Sequence, residues 1–197
     1  VDMILKNPEN QGFQGRKLTA TVMFTDIRGF TSFSEKHPAE EVVSVLNEHF
    51  TTATEIILRH GGHVDKFIGD AVLAVFGALM EYDDHAERAV QAAIALQRVL
   101  KTKDTESGFA ISIGIGINSG ELIAGNIGSQ KRMEYTVIGD TVNLASRLTA
   151  LAAPGEIIIS SATHGGIETA MEMERLEPVA VKGKTEKVEI YRVRVGV

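Results

Sequence analysis

The chain has 197 residues, 44% of them hydrophobic and 23% charged, with a net charge of −6. That is enough apolar material for one sizeable core, while the acidic balance excludes a broad nucleic-acid or anionic-membrane surface, which needs a clustered positive field. The absence of cysteine excludes disulfide scaffolds, zinc ribbons and thiol nucleophiles together, and is compatible with a reducing compartment.

Residues 1–15 are polar, with glycine and proline, and read as a flexible leader before a domain over residues 16–197. "RKLTATVMFTDI" is a buried strand closing on a carboxylate, Asp26. From Pro38 to His60, Val42, Val45, Leu46, Phe50, Ile56 and Ile57 recur at helical spacing, with Pro38 at the start and Gly61-Gly62 at the end. "HVDKFI" and "AVLAVFG" follow as two strands, with Gly69-Asp70 as the turn between them. The Ala-rich stretch Asp83 to Val99 is a second long helix. "FAISIGIGINSG" is a strand with small residues at alternate places, and "ELIAGNIG" and "RMEYTVIG" continue the sheet. "DTVNLASRLTALA" is a short helix with Asp140 as its expected cap. "GEIIIS" and "VEIYRVRV" are further strands, the last with Arg192 and Arg194 outward. This order predicts a sheet covered by helices, of the α+β or α/β class.

The longest apolar stretch, Ala71 to Met80, is about half of what a membrane span needs, and no signal peptide opens the chain. No membrane contact by this segment and a cytoplasmic location are therefore expected. A start at Val1 suggests a domain excised from a longer protein, with regulatory domains elsewhere.

Within the apolar run "DKFIGDAVLAVFG", Lys66 and Asp70 stand four apart around Gly69. On a helix they would form an ion pair, but the glycine and the β-branched and aromatic neighbours favour strands, so the pair needs another explanation. Asp26 and Asp70 would converge if their strands are neighbours. Two close carboxylates repel and raise each other's pKa unless a cation lies between them, and such oxygen sites suit Mg²⁺ or Mn²⁺ completed by substrate phosphates. Taken alone, each aspartate reads more readily as a turn residue. On the short helix Asn143 and Arg147 share one face, an amide beside a guanidinium that can hold a sugar and a phosphate. "VKGKTEK" places Lys182 and Lys184 about a glycine. "GIGINSG" only approaches G-x-G-x-x-G, and its third glycine is displaced, so a dinucleotide fold is unsupported. Among the six histidines no metal-ligand spacing occurs.

Taken in order, "FTDIRGFTSFS", "GGHVDKFIGDAVLAVFG", "INSGELIAGNIG", "YTVIGDTVNLASRL" and "VKGK" resemble the catalytic domain of class III nucleotidyl cyclases, from about Arg16 to Val195. The resemblance implies an α+β fold, ferredoxin-like or palm-type, whose central, mostly antiparallel sheet is covered by helices. It also implies a homodimer arranged head to tail with composite active sites. By the same resemblance Asp26, Asp70 and the backbone carbonyl of Ile27 bind two Mg²⁺ or Mn²⁺ ions per site. Lys66 and Thr136 read the purine, Asn143 orients the ribose, Arg147 stabilises the transition state and Lys182 contacts the triphosphate. Lys66 with Thr136 implies ATP as substrate, cyclic AMP and pyrophosphate as products, and likeness to the bicarbonate-responsive soluble subclass. A guanylyl cyclase, usually with Glu at the Lys66 position, and a silent nucleotide-binding regulatory domain are the alternatives. In the implied dimer, Lys66 and Asp70 of one chain serve different sites and need not pair.

Overall fold

The computed structural model describes residues 15–102, 109–129 and 131–196; all but the last residue of the expected leader lies outside the described residues. The elements are β1 (Arg16–Ile27), α1 (Phe30–Ser34), α2 (Ala39–Arg59), β2 (His63–Ile68), β3 (Ala71–Phe76), α3 (His85–Thr102), β4 (Ile113–Ser129), β5 (Arg132–Ile138), α4 (Asp140–Leu151), β6 (Ile157–Ser160), α5 (Ser161–Gly165), β7 (Met173–Arg175) and β8 (Ile190–Val193). The strands form one mostly antiparallel sheet in the order β2-β3-β1-β4-β6-β8-β7, with β5 paired to β4 off this path. Among the described residues only β4 and β6 pair in parallel. The α+β class expected from the sequence is therefore the one found. Among the described residues no helix is long and apolar enough to cross a membrane.

Strand alternation sorts β1 between two cores. Met23 and Ile27 face α2 and α3 together with Ala74, Phe76, Ile113, Ile115 and Ile117. Ala20, Val22 and Phe24 face the other way, packing with Leu73, Val75, Val137 and Ala145 of α4. With both faces covered, β1 is a central strand, which is why it reads as a nearly continuous apolar run. Each fully buried Val, Leu, Ile or Phe in these layers contributes about 1.5–3 kcal/mol relative to exposure.

The alternate glycines of β4 have a packing reason. A Cβ at Gly116 would stand 2.2 Å from the Thr149 nitrogen and 2.5 Å from the Ala145 carbonyl oxygen, so α4 lies directly on the sheet there. Three expectations are corrected. The two strands read from "FAISIGIGINSG" and "ELIAGNIG" are one strand, β4. The polar Asn118 and Ser119 stay inside it because their side chains find buried partners: Asn118 Nδ2 donates to the Thr141 carbonyl at 3.0 Å, and Ser119 Oγ lies 2.7 Å from Thr21 Oγ1. Asp140 does not cap α4. Gly139 is the N-cap with no side-chain bond, and Asp140 lies in the first turn, paired instead with Lys184. Arg192 is not simply outward, since its guanidinium meets Glu156 at 2.7 Å and Glu174 at 3.1 Å.

Candidate active site

Asp26 stands at the end of β1 on the face that carries α4, one residue beyond the last β1–β3 pair, Thr25 with Val72. Asp70 closes the β2–β3 turn, where Gly69 takes a left-handed φ of 62° that a side chain would resist. Pairing of β1 with β3 thus carries both carboxylates to one end of the sheet. Asp70 Oδ2 accepts a hydrogen bond from the Ile27 backbone N–H at 3.2 Å. Burial and then the charge of Asp26 raise the Asp70 pKa above the ordinary carboxylate value, the signature of two close carboxylates short of positive charge.

Part of that charge comes from Arg28, a residue whose role sequence reasoning missed. Its guanidinium pairs with Asp26 and also donates to the carbonyls of Thr149 and, at 3.1 Å, Ala152. One side chain therefore ties the carboxylate end of β1 to the C-terminal turn of α4. It fits because the facing β4 residue is Gly114, whose Cβ would fall 2.1 Å from Arg28 Nη2.

Among the described residues no group of three or more His, Cys, Asp or Glu side chains could hold a metal. What is present is two carboxylates and neighbouring backbone oxygens. This hard, incomplete donor set fits a Mg²⁺-like ion whose remaining ligands come from phosphate and water.

Lys66 and Asp70 do not pair. The ion-pair partners of Lys66 are Glu134, at 3.1 Å, and Asp65, at 3.6 Å. A β-bulge produces this arrangement: Val64 pairs with Ala74 and Lys66 with Leu73, leaving Asp65 as the extra residue of β2. Bulges re-aim side chains, and here Asp65 and Lys66 both meet β5. Thr136 Oγ1 donates to Asp65 Oδ2 at 2.8 Å. Lys66 and Thr136, 70 positions apart in the chain, thus share one carboxylate. Glu134 is held below its usual pKa by Lys66 and then by Arg132.

Asn143 is exposed on α4, and Arg147 one turn later is half-buried. Among the described residues Arg147 Nη1 is buried without a hydrogen-bond partner. The loop carrying Lys182 passes close by: a Cβ on Gly183 would be 3.4 Å from Arg147 Nη2, and Lys184 pins the loop to Asp140 at the start of α4. Lys182 itself is exposed. The predicted residues therefore fall into three groups within one chain: Asp26, Ile27 and Asp70; Lys66 and Thr136; and Asn143, Arg147 and the Lys182 loop. Asp65, Arg28 and Glu134 were not singled out from the sequence, and of these only Asp65 carried a signal, as a charge inside an apolar strand.

Comparison with known proteins gives the family of the chain. Residues 14–194 match the model of the adenylate and guanylate cyclase catalytic domain. The terminal-differentiation specific adenylate cyclase of Dictyostelium discoideum is 40% identical over 89% of this chain, which spans only 9% of that protein's length. Among solved structures, the adenylyl cyclase CyaB from P. aeruginosa superposes with a TM-score of 0.86 at 38% identity, covering 92% of this chain and 96% of that one. The guanylate cyclase domain of RhGC from Catenaria anguillulae, solved with GTP, gives 0.86 at 35% identity, covering 91% and 98%. The chain belongs to the class III nucleotidyl cyclases, as one of their adenylate and guanylate cyclase catalytic domains.

Proposed function

We propose that the chain is an adenylyl cyclase converting ATP to 3′,5′-cyclic AMP and pyrophosphate at the interface of a homodimer. Each site takes Asp26, Ile27 and Asp70 from one copy and Lys66, Thr136, Asn143, Arg147 and Lys182 from the other. The observation that carries the choice of ATP is the meeting of Lys66 and Thr136 on Asp65. That meeting sets an amine donor beside a hydroxyl. Adenine offers an acceptor at N1 and a donor at the 6-amino group; guanine offers N1–H and O6, the opposite polarity.

In the reaction the ribose 3′-oxygen bonds to the α-phosphorus, the bond from that phosphorus to the bridging oxygen breaks, and pyrophosphate departs as the hydroxyl proton is lost to solvent. Asp26, Asp70 and the Ile27 carbonyl would hold two Mg²⁺ or Mn²⁺ ions, which would supply activation of the hydroxyl and neutralisation of the triphosphate. Asn143 orients the ribose. Arg147, with an unpaired buried nitrogen, meets the charge that develops at phosphorus, and Lys182 holds the triphosphate. Together these cations let a chain of net charge −6 bind a polyanion. Bicarbonate sensitivity and a cytoplasmic setting belong to the same proposal; the first is tested by activity across added bicarbonate at fixed pH.

Cyclic nucleotide formed from ATP and from GTP, measured side by side with Mn²⁺, tests the reading. Cyclic AMP should form with at least about tenfold preference in kcat/KM, the scale of one well-placed polar discrimination. Cyclic GMP as the main product would replace it with the guanylyl reading, and no product from either nucleotide would leave a silent domain.

A further inference from the structure

A threonine hydroxyl is ambiguous by itself: it can donate its hydrogen to a purine O6 or accept one from a 6-amino group. Thr136 is not ambiguous in this fold. Its Oγ1 donates to Asp65 Oδ2 at 2.8 Å, and a carboxylate facing an ammonium has no hydrogen to return. With its only hydrogen committed, Thr136 has lone pairs alone to present to a base.

The placement of Asp65 is unusual for a carboxylate. Its side chain is 1% exposed, yet it lies on the extra residue of a bulge rather than in the regular ladder. Its second oxygen, Oδ1, is buried with no hydrogen-bond partner among the described residues. A buried carboxylate satisfied on one side only is costly to the fold. Such a group is retained where it sets a neighbouring polarity, and its hydrogen-bond and ion-pair partners here are Thr136 and Lys66.

We infer that Asp65 is the positioning residue that sets base specificity, by fixing the Thr136 hydroxyl as an acceptor. The inference rests on the reading of Lys66 and Thr136 as the purine-contacting pair. Asp65 itself need not touch the nucleotide. Without it the Thr136 hydroxyl is free to turn and donate to O6, so GTP gains while ATP loses.

The test measures the ratio of kcat/KM for ATP to that for GTP in a double-mutant cycle. Asp65→Leu should lower the ratio by about tenfold, the worth of one hydrogen bond gained by the wrong base and lost by the right one. Asp65→Asn, whose amide oxygen can still take the Thr136 hydrogen, should keep the ratio within about threefold of the unsubstituted chain. In a Thr136→Val background Asp65→Leu should change the ratio less than about twofold, because its effect runs through the hydroxyl. Asp65→Val, with a side chain at home in a strand, is measured in parallel so that one variant failing to fold does not end the test. A ratio that moves with Thr136→Val but not with Asp65→Leu or Asp65→Val overturns the inference alone. So does an equal change with and without the Thr136 hydroxyl, or a collapse in Asp65→Asn as deep as in Asp65→Leu. A ratio indifferent to Thr136→Val overturns the base-reading assignment, and the inference with it.

Discussion

Asp26 and Asp70 gain their meaning from each other. Either one at a strand end is an ordinary turn residue; together, with burial and a like charge raising the Asp70 pKa, they form a site that favours a cation. Asp26→Ala and Asp70→Ala should each abolish metal-dependent cyclisation while leaving the circular dichroism spectrum and thermal midpoint close to those of the unsubstituted chain; substantial activity in both would remove the two-metal site. Arg147→Ala should lower kcat by about 10²–10³-fold with a smaller effect on KM, as expected of a group whose interaction strengthens in the transition state. A change in KM alone would assign it to ground-state binding. At this scale the sequence was informative wherever chemistry needs a particular residue type. It was silent on Arg28 and flagged Asp65 only as a charge in an apolar strand, because their roles depend on a helix end brought close by tertiary packing and on a bulge.

At the scale of elements, α4 is the most exposed to perturbation. It carries Asn143 and Arg147, rests on Gly116, and is tied at its last turn to Arg28. Gly116→Ala would force its Cβ against backbone atoms of α4 at 2.2 and 2.5 Å. Overpacking of this kind costs about 1–3 kcal/mol, so the thermal midpoint should fall by roughly 2–4 °C per kcal/mol, and turnover should fall further as Arg147 shifts with the helix. An unchanged midpoint would mean that α4 does not bear on the sheet at that point. The long amphipathic α2 and the apolar β1 and β3 were legible because burial imposes their periods. The unity of β4 was not: Asn118, Ser119 and Gly120 resemble a turn until their buried partners Thr141, Ser160 and Thr21 are in place. α1, α5 and β7, at five, five and three residues, are too short for any periodicity to show.

For the whole molecule, two histidines link stability to pH. Burial lowers the pKa of His63 and of His85, against the opposing charges of Asp65 on the first and of Asp84 and Asp83 on the second. A depressed native pKa means that the unfolded chain, titrating near 6.5, takes up protons that the folded chain refuses. Stability is therefore full above that value and is lost as pH falls through it toward the native values. The urea midpoint should drop between about pH 7.5 and about pH 5.5. His85→Asn, whose amide stands where Nδ1 makes the 2.7 Å bond to Thr21 Oγ1, should reduce that drop; an undiminished drop would clear His85 of the effect. The architecture also explains the spacing of Lys66 and Asp70. One hairpin sends Lys66 toward β5 and Asp70 toward the end of β1, and its strand carries Phe67 and Ile68, exposed at 46% and 50%, an apolar surface suited to a second copy.

The most direct test of the central claim, that the metal-binding and the transition-state groups of one site come from different copies, is complementation. Chains carrying Asp26→Ala and chains carrying Arg147→Ala, each inactive or nearly so alone, are mixed and assayed for cyclic AMP. A heterodimer places both lesions in one site and leaves the other intact, so activity should return to about a quarter of that of the unsubstituted protein, from half the dimers bearing one of two sites, by the statistics of random pairing in a symmetric dimer. No recovery, with mixed dimers confirmed to form, would contradict the composite site.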